Sequence, residues 1–168
     1  MGLKVFSQAF ENGRIQPKYG KLGSENIEGV PQRSFPVSWE GAPEGTKSYA
    51  IVFIDHDNVI GEGIIWLHWL AANIPASATG LEEDAARIDR CFLQGKNTWA
   101  FQLGVDNPVC NMYGGPAPED RPHEYELYLL ALSDMLKLEE GYYYNDFLRQ
   151  ARGKVLDWTV LRGVYPNE

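Results

Sequence analysis

The sequence predicts a mainly β fold, an antiparallel β-sandwich with a few peripheral helices. Three segments carry this prediction, Ser48–Asp55, Ile64–Ile74 and Glu124–Leu132, because they are rich in the β-branched and aromatic residues that favour strands. The one clear helical pattern comes late in the chain, and strands do not alternate regularly with helices. A doubly wound parallel sheet is therefore not expected.

Length and composition set the class of protein. The 168 residues suggest a single domain over positions 1–168, and 44% hydrophobic with 23% charged residues is typical of a globular protein in water. The net charge of −8 argues against nucleic-acid binding and against docking on an acidic membrane surface, since both need a basic face. A local pocket for an anion is still possible, because its potential depends on nearby groups.

The sequence also bears on location and on cysteine chemistry. No apolar run reaches the roughly 18 residues that a transmembrane helix needs, and Met1–Phe10 lacks the pattern of a secretory signal, so we expect a cytoplasmic protein. Cys91 and Cys110 belong to no CxxC pair, and we expect two free buried thiols. A Cys91–Cys110 disulfide stays open, because a sequence does not give the distance between two sulfurs.

The first third of the chain predicts short elements. Leu3–Ser7 alternates like a strand, and Asn12-Gly13 predicts a turn of the kind that closes a hairpin. Residues 16–34 are polar and rich in Gly and Pro, which indicates either a long ordered loop or short edge strands. Phe35–Trp39 precedes a Gly- and Pro-containing turn at residues 41–46.

Longer elements follow. Ser48–Asp55 predicts a buried strand, and the run that ends at Pro75 predicts a second central strand. Residues 81–90 favour one or two turns of helix, whereas residues 100–112 are interpreted as a loop. Tyr142–Arg152 has helical spacing, with Asn145 or Asp146 near its start, and the final strand runs from Val155 to Tyr165.

The segment Tyr113–Tyr125, called the Gly/Pro loop below, is the first candidate for a functional site. It contains two adjacent glycines and three prolines, which allow close approach of the backbone and hold a loop in one shape. His123 and Tyr125 can donate hydrogen bonds into a concavity formed by such a loop. Taken alone, the segment is equally typical of a rigid surface turn before a strand.

Two further positions add polar groups. Asp55 and Asp57 lie at the end of a predicted buried strand and, in an extended chain, point the same way. They could act as acid and base, bind a metal or cap backbone amides in the turn. His68 lies inside an apolar strand, where it could be a ligand-binding residue or a core histidine with satisfied hydrogen bonds.

Several classes of site are not supported. The chain lacks HxH and HxxxH spacing, so we expect no metal, and it lacks G-x-S-x-G, G-x-G-x-x-G and Walker A motifs, so we expect neither an enzyme nor a cofactor. The remaining interpretation is a small pocket whose imidazoles, tyrosine hydroxyl and Gly-loop amides bind a phosphate or carboxylate. The two aspartates are expected to keep the histidines cationic.

Five segments together resemble the phosphatidylethanolamine-binding protein family, also called Raf-kinase-inhibitor-like proteins, and are most similar to its bacterial branch. The family patterns are S-P-x-x-x-W…P-x-G-T-K-S-[FY], D-P-D-x-P, [FW]-x-H-W…N-[IL]-P, Y-x-G-P-x-P-P…H-x-Y and G-x-Y. In the same order, the matching segments of this chain are Phe35–Tyr49, Asp55–Val59, Trp66–Ala76, Tyr113–Tyr125 and Gly163–Tyr165.

The resemblance implies a β-sandwich and a non-catalytic protein that binds a small phosphate-type anion or a phospholipid headgroup. Alternatively, it implies an inhibitor or scaffold for a kinase or protease in which the pocket is regulatory, and bacterial members are often homodimers. Carried over by position, the ligand-binding residues are Asp55, Asp57, His68, Trp69, Gly115, Pro116, His123 and Tyr125.

This chain departs from the family patterns at three places. His56 and Val59 replace the two prolines of the aspartate loop, which suggests a differently shaped loop and a possible third imidazole. Ala117 stands where a proline is common, and residues 100–112 resemble an insertion before the Gly/Pro loop. The headgroup preference of the pocket is therefore left open.

Overall fold

The computed structural model describes residues 2–166, so that positions 1, 167 and 168 of the predicted domain lie outside the described residues. The strands are β1 (Lys4–Phe6), β2 (Phe10–Glu11), β3 (Arg14–Ile15), β4 (Asn26–Ile27), β5 (Val30–Pro31), β6 (Val37–Glu40), β7 (Ser48–Asp55), β8 (Trp66–Pro75), β9 (Gly80–Leu81), β10 (Leu93–Gln94), β11 (His123–Leu132) and β12 (Val155–Tyr165). The helices are α1 (Asn58–Glu62), α2 (Ala85–Ile88), α3 (Ala100–Leu103) and α4 (Tyr144–Ala151), with 3₁₀ turns at Pro17–Tyr19 and Pro108–Asn111.

Two sheets form the body of the fold. The larger has the strand order β10-β8-β7-β11-β12-β3-β2, and the smaller has the order β1-β6-β9. Neighbouring strands are antiparallel, apart from the contact of β12 with β3. The predicted mainly β, antiparallel fold with few helices is confirmed.

Strand β7, the third of the seven strands of the larger sheet, has both of its faces covered. Every residue from Ser48 to Asp55 is buried. On one face Tyr49 packs against Trp39 of the smaller sheet, with ring centroids 5.1 Å apart. On the other face Val52 belongs to a cluster with Phe147 of α4. Burial of each large apolar side chain stabilises the fold by about 1.5–3 kcal/mol, which explains the nearly continuous apolar sequence of this strand.

The hairpin predicted near the N-terminus is confirmed. Asn12 and Gly13 connect β2 to β3, and their φ angles are 51° and 74°. A two-residue turn with two positive φ angles matches the twist of the paired strands, and Asn-Gly is the sequence that adopts it most easily. Within residues 16–34, the alternative of short edge strands is the one observed, as β4 and β5.

The helices differ from the predictions in part. The C-terminal helix forms within the predicted segment, and Asn145 and Asp146 lie in its first turn, near its start as predicted. Tyr143 is its N-cap residue, and no side chain caps it. Asp146 is still favourable there, because a carboxylate stabilises the positive end of the helix dipole. Helix α1 was not predicted.

Residues 100–112 are not a loop, and this prediction was wrong. They contain α3 and the 3₁₀ turn Pro108–Asn111, where the buried Val109 and Cys110 pack on Val30. Elements of four residues are too short to give a periodic pattern, so only tertiary packing reveals them. Cys91 is exposed rather than buried, and the two cysteines are free thiols.

None of the helices described between residues 2 and 166 has the length and apolarity that crossing a membrane requires.

Candidate functional site

A pocket with a volume of about 220 Å³ opens where β7 ends and β11 begins. Its walls come from strands β7, β8 and β11, from helix α1, from the residues around α3, and from the Gly/Pro loop. The lining residues are Asp55, Asn58, Gly61, Glu62, Trp66, His68, Trp99, Gln102, Ala117, Pro118, Glu119, Asp120, His123 and Tyr125. Four of the eight predicted site residues, Asp55, His68, His123 and Tyr125, are therefore brought together there.

His68 reaches the pocket through a β-bulge. Phe53 of β7 pairs with Trp69, but the next residue of β7 pairs with Leu67, so that His68 is the extra residue of β8. Bulges redirect side chains in this way and are common beside binding sites. The imidazole consequently lies among aromatic rings, with its centroid 5.2 Å from that of Tyr125.

His123 and Tyr125 reach the same pocket by simple alternation along β11. His123, Tyr125 and Leu127 are buried, while the residues between them are more exposed. Side chains two apart on a strand share a face. The predicted placement of His123 and Tyr125 on one side is confirmed, with their ring centroids 6.4 Å apart.

His123 is held by carboxylates at both ring nitrogens. Nδ1 lies 2.7 Å from Oδ2 of Asp55, and Nε2 lies 2.8 Å from Oδ1 of Asp120. Burial disfavours the imidazolium form, but hydrogen bonds and charges from Asp55 and Asp120 outweigh it and raise the pKa of His123. For His123, the expectation of a cationic histidine agrees with this environment.

His68 behaves in the opposite way. Its Nδ1 lies 2.5 Å from the carbonyl oxygen of Gly114, and because a carbonyl only accepts, Nδ1 carries the proton. Burial lowers the pKa of His68 to about 4, despite the opposing influence of Asp55. The expectation that the aspartates keep His68 cationic was wrong, and its Nε2 presents a lone pair instead of a proton.

Four buried polar atoms of the pocket residues have no hydrogen-bond partner in the described structure. They are Nε1 of Trp66, Nε1 of Trp99, Nε2 of His68 and the hydroxyl of Tyr125. Three of them are donors and one is an acceptor. Burial and the nearby Asp55 charge raise the pKa of Tyr125, so its hydroxyl keeps its proton at neutral pH. Unsatisfied buried groups are uncommon in proteins, and their concentration around one cavity makes this cavity the candidate site.

The Gly/Pro loop shapes the pocket but does not donate its glycine amides into it. The amide of Gly114 donates to the carbonyl of His68, and the amide of Gly115 donates to the carbonyl of Pro31, both at 2.8 Å. The predicted use of backbone amides as anion donors is therefore not observed. A Cβ on Gly115 would collide with the carbonyl oxygen of Tyr19, so glycine is required by close packing.

The other predicted site residues lie behind the pocket wall. Asp57 directs Oδ2 to the amide of Glu124 at 2.9 Å, because the chain turns into α1 after Asp55 and is no longer extended. Trp69 is fully buried. Pro116 accepts a hydrogen bond from the amide of Lys21 at 2.8 Å. None of these residues, nor Gly115, contributes to the lining of this pocket.

The departures from the family patterns have different effects. His56 does not add a third imidazole to the pocket, because it lies on the other face of the sheet with Nε2 3.3 Å from Oε2 of Glu126. Val59 is part of α1. Ala117 does line the pocket.

Several lining residues were missed from the sequence. Trp66 lies two residues before His68 in the same predicted strand, and its aromatic side chain was a usable signal. Trp99 is the N-cap residue of α3 and Gln102 lies within this helix, and no sequence pattern marks either residue. Asp120 lies within the Gly/Pro loop, but only the structure shows its contact with His123.

The charge of the lining is acidic. Four carboxylates, from Asp55, Glu62, Glu119 and Asp120, face two imidazoles, of which that of His68 is neutral near pH 7. No lysine or arginine is among the described lining residues. Among residues 2–166, no group of three or more His, Cys, Asp or Glu side chains is arranged to hold a metal ion.

Comparison with known proteins supports the resemblance seen in the motifs. The family model described as phosphatidylethanolamine-binding protein matches residues 6–166. The uncharacterised protein YxkA of Bacillus subtilis is 38% identical over 155 residues, which cover 89% of this chain and 92% of YxkA. A protein of Methanothermobacter thermautotrophicus is 37% identical over 158 residues, which cover 92% of each chain.

Solved structures agree with the fold. The crystal structure of CT736 from Chlamydia trachomatis, described as a phosphatidylethanolamine-binding protein homologue, superposes with a TM-score of 0.81 at 29% identity, covering 99% of both chains. Escherichia coli YbcL, described as a member of the mammalian family, superposes over 100% of both chains with a TM-score of 0.80 at 24% identity, which supports the fold alone. This chain therefore belongs to the phosphatidylethanolamine-binding protein family, with bacterial members among its relatives.

Proposed function

We propose that the pocket binds a small zwitterionic head group that carries both a phosphate and an ammonium, as phosphoethanolamine does, without chemical turnover. The observation that carries this proposal is the set of unpartnered buried polar atoms around one cavity, on Trp66, His68, Trp99 and Tyr125. Leaving such atoms unsatisfied costs about 1–3 kcal/mol each, and a ligand that satisfies them recovers part of that free energy.

The phosphate half of the ligand suits the donors. The two indole N–H groups of Trp66 and Trp99 and the hydroxyl of Tyr125 can donate to phosphate oxygens. The lone pair on Nε2 of neutral His68 can accept from the P–OH of a phosphate monoanion. The set therefore complements a phosphate that still carries one proton.

The ammonium half suits the acidic lining. Glu62, Glu119 and Asp120 provide negative charge, and the rings of Trp66 and Trp99 meet edge to face at 5.2 Å to provide an aromatic wall. Ammonium groups bind favourably against carboxylates and aromatic faces. A bare phosphate dianion would meet this negative charge with only the His123 imidazolium to offset it, so the charge balance favours a zwitterion.

The absence of turnover is part of the proposal. The described lining residues include no Ser, Thr, Cys or Lys that could act as a nucleophile. The carboxylate of Asp55 is committed to His123 and to the amide of Asn58, at 2.7 and 3.1 Å. Binding is therefore better supported than hydrolysis.

The test is a titration of the ¹⁵N-labelled protein with O-phosphoethanolamine, inorganic phosphate and ethanolamine, followed by NMR. We expect phosphoethanolamine to shift the indole N–H signals of Trp66 and Trp99 more strongly than either half alone. The indole signal of Trp158, which lies exposed outside the pocket, serves as the control. No shift at millimolar phosphoethanolamine would refute the proposal.

Three expectations from the family resemblance stay predictions. They are a kinase or protease partner, a homodimer and a cytoplasmic location. Capture of a kinase or protease that persists after His68→Ala and His123→Ala would favour the alternative role of inhibitor or scaffold over the head-group site.

A further inference from the structure

The two partners of His123 differ in how firmly they are held. Asp55 is buried, with only 3% of its side chain exposed, and belongs to a central strand. Asp120 contacts the opposite ring nitrogen at 2.8 Å, but 42% of its side chain is exposed and it lies in a bend outside any strand or helix. The contact with Asp120 is thus the exchangeable one, since exposed ion pairs are weak and open easily.

We propose that Asp120 determines the ligand specificity of the pocket, because its carboxylate occupies the position on Nε2 of His123 that an anionic oxygen of a ligand would take. This inference rests on the proposed function. A carboxylate oxygen and a phosphate oxygen are equivalent acceptors for an imidazolium N–H. An anionic group therefore reaches His123 only by displacing Asp120.

Displacement of Asp120 from His123 affects the binding of two kinds of ligand differently. Bare phosphate leaves the released carboxylate of Asp120 close to a second negative group, which is unfavourable. A head group that carries an ammonium beside its phosphate gives Asp120 a new partner of opposite charge. Asp120 consequently disfavours simple anions and favours zwitterions.

The surroundings of Asp120 allow this exchange without a change of fold. Arg121 forms an ion pair with Asp120, and its Nη2 donates to the carbonyl of Asp57 at 3.4 Å. A side chain released from His123 can keep its pairing with Arg121. Rotation of one side chain in the bend is sufficient, and β11 stays paired from His123 onward.

The experiment compares the wild-type protein with Asp120→Asn and Glu119→Gln. Both variants remove one negative charge from the same wall, but only the first changes the partner of His123. Dissociation constants for inorganic phosphate and O-phosphoethanolamine are measured for each protein by NMR titration. A fall in the pKa of His123 in ligand-free Asp120→Asn, followed on its ring signals, verifies that the contact exists in solution.

We expect Asp120→Asn to bind inorganic phosphate about three- to tenfold more tightly than wild type, with a smaller gain for phosphoethanolamine. Glu119→Gln leaves the contact of His123 with Asp120 in place, so it should raise the affinity for phosphate less than Asp120→Asn does. It should weaken phosphoethanolamine binding slightly, because it removes one carboxylate from the ammonium side. Equal effects of the two variants, or an unchanged preference in Asp120→Asn while both ligands bind, would overturn the inference alone. Failure of every protein to bind either ligand would overturn the proposed function, and the inference with it.

Discussion

The imidazole of His123 and the carboxylate of Asp55 form a buried pair, with Nδ1 2.7 Å from Oδ2, that joins the start of β11 to the end of β7. Because the same carboxylate accepts the amide of Asn58 at 3.1 Å, one group fixes both the floor of the pocket and the first turn of α1. The pair is thus part of the fold as well as part of the site.

The pair gives a first prediction for stability. Asp55→Asn replaces a charged acceptor with a neutral amide beside a buried imidazole, and should lower the free energy of unfolding by about 1.5–3 kcal/mol. Urea denaturation at pH 6.5 measures this change. Asp57→Asn is the matched control, because the amide oxygen can still accept from Glu124 and the position is less buried. A loss in Asp57→Asn equal to that in Asp55→Asn would contradict the special role of the pair.

The two pocket histidines should make the stability of the fold depend on pH in opposite directions. For His123, a folded-state pKa raised above 6.5 adds stability that is fully present below the unfolded-state pKa and is lost as pH rises through the folded-state value. His68 has a folded-state pKa of about 4, below its ordinary 6.5. Its contribution is therefore present above pH 6.5 and is lost as pH falls toward 4, because the unfolded chain takes up the proton first.

The second prediction isolates the contribution of His68. Between pH 6.5 and 4, wild type should lose about 3 kcal/mol more stability than His68→Asn, since asparagine does not titrate. Urea denaturation at several pH values in this range measures how steeply the stability of each protein falls with pH. In NMR spectra, the ring signals of His68 should stay those of a neutral imidazole down to about pH 5. Parallel stability curves for the two proteins would show that His68 is not buried in its neutral form.

Much of the fold could be predicted because its central strands are buried on both faces. Ser48–Asp55 is almost wholly apolar for that reason, and an apolar strand of this kind is visible in sequence. The short helix α3 could not be predicted, because it depends on a neighbour that is distant along the chain: Ala100 and Leu103 pack on the cluster that contains Val30. Helix α1 buries no residue and is too short to give a periodic pattern.

The placement of the candidate site residues could be predicted where regular strand geometry holds. His123 and Tyr125 alternate along β11 as expected and line the pocket together. Asp57 does not line the pocket beside Asp55, since the strand ends between them. A bulge breaks the alternation of β8 and places the neighbours His68 and Trp69 on the same side of the sheet, where His68 lines the pocket and Trp69 is buried in the core. A bulge leaves no sequence pattern.

The third prediction concerns the unpartnered indoles. Trp66→Phe and Trp99→Phe keep an aromatic ring but remove the N–H, and each should weaken binding of phosphoethanolamine by about fivefold to tenfold. Isothermal titration calorimetry measures this loss. Trp158→Phe, on the opposite face of the sheet, should leave the affinity unchanged. If all three variants bind alike, the indole N–H groups do not contact the ligand.

The fourth prediction uses Gly114 and Gly115, which lie behind the pocket wall. Gly115→Ala places a Cβ against the backbone oxygen of Tyr19, which belongs to another segment and has no room to rotate away, so the loss of stability should be about 2–3 kcal/mol. Gly114→Ala meets the indole of Trp99 at 2.5 Å, a side chain that can shift, and should cost less stability while disturbing the pocket.

The matched control for these variants is Gly61→Ala. Gly61 lines the pocket itself, but a Cβ there meets nothing within 4 Å, and its place in α1 makes alanine neutral or stabilising by up to about 1 kcal/mol. Thermal and urea denaturation should therefore find Gly115→Ala the least stable of the three variants, Gly114→Ala intermediate and Gly61→Ala the most stable. If Gly115→Ala is as stable as Gly61→Ala, close packing against Tyr19 does not explain the adjacent glycines, and the loop has more freedom than its hydrogen bonds to His68 and Pro31 imply.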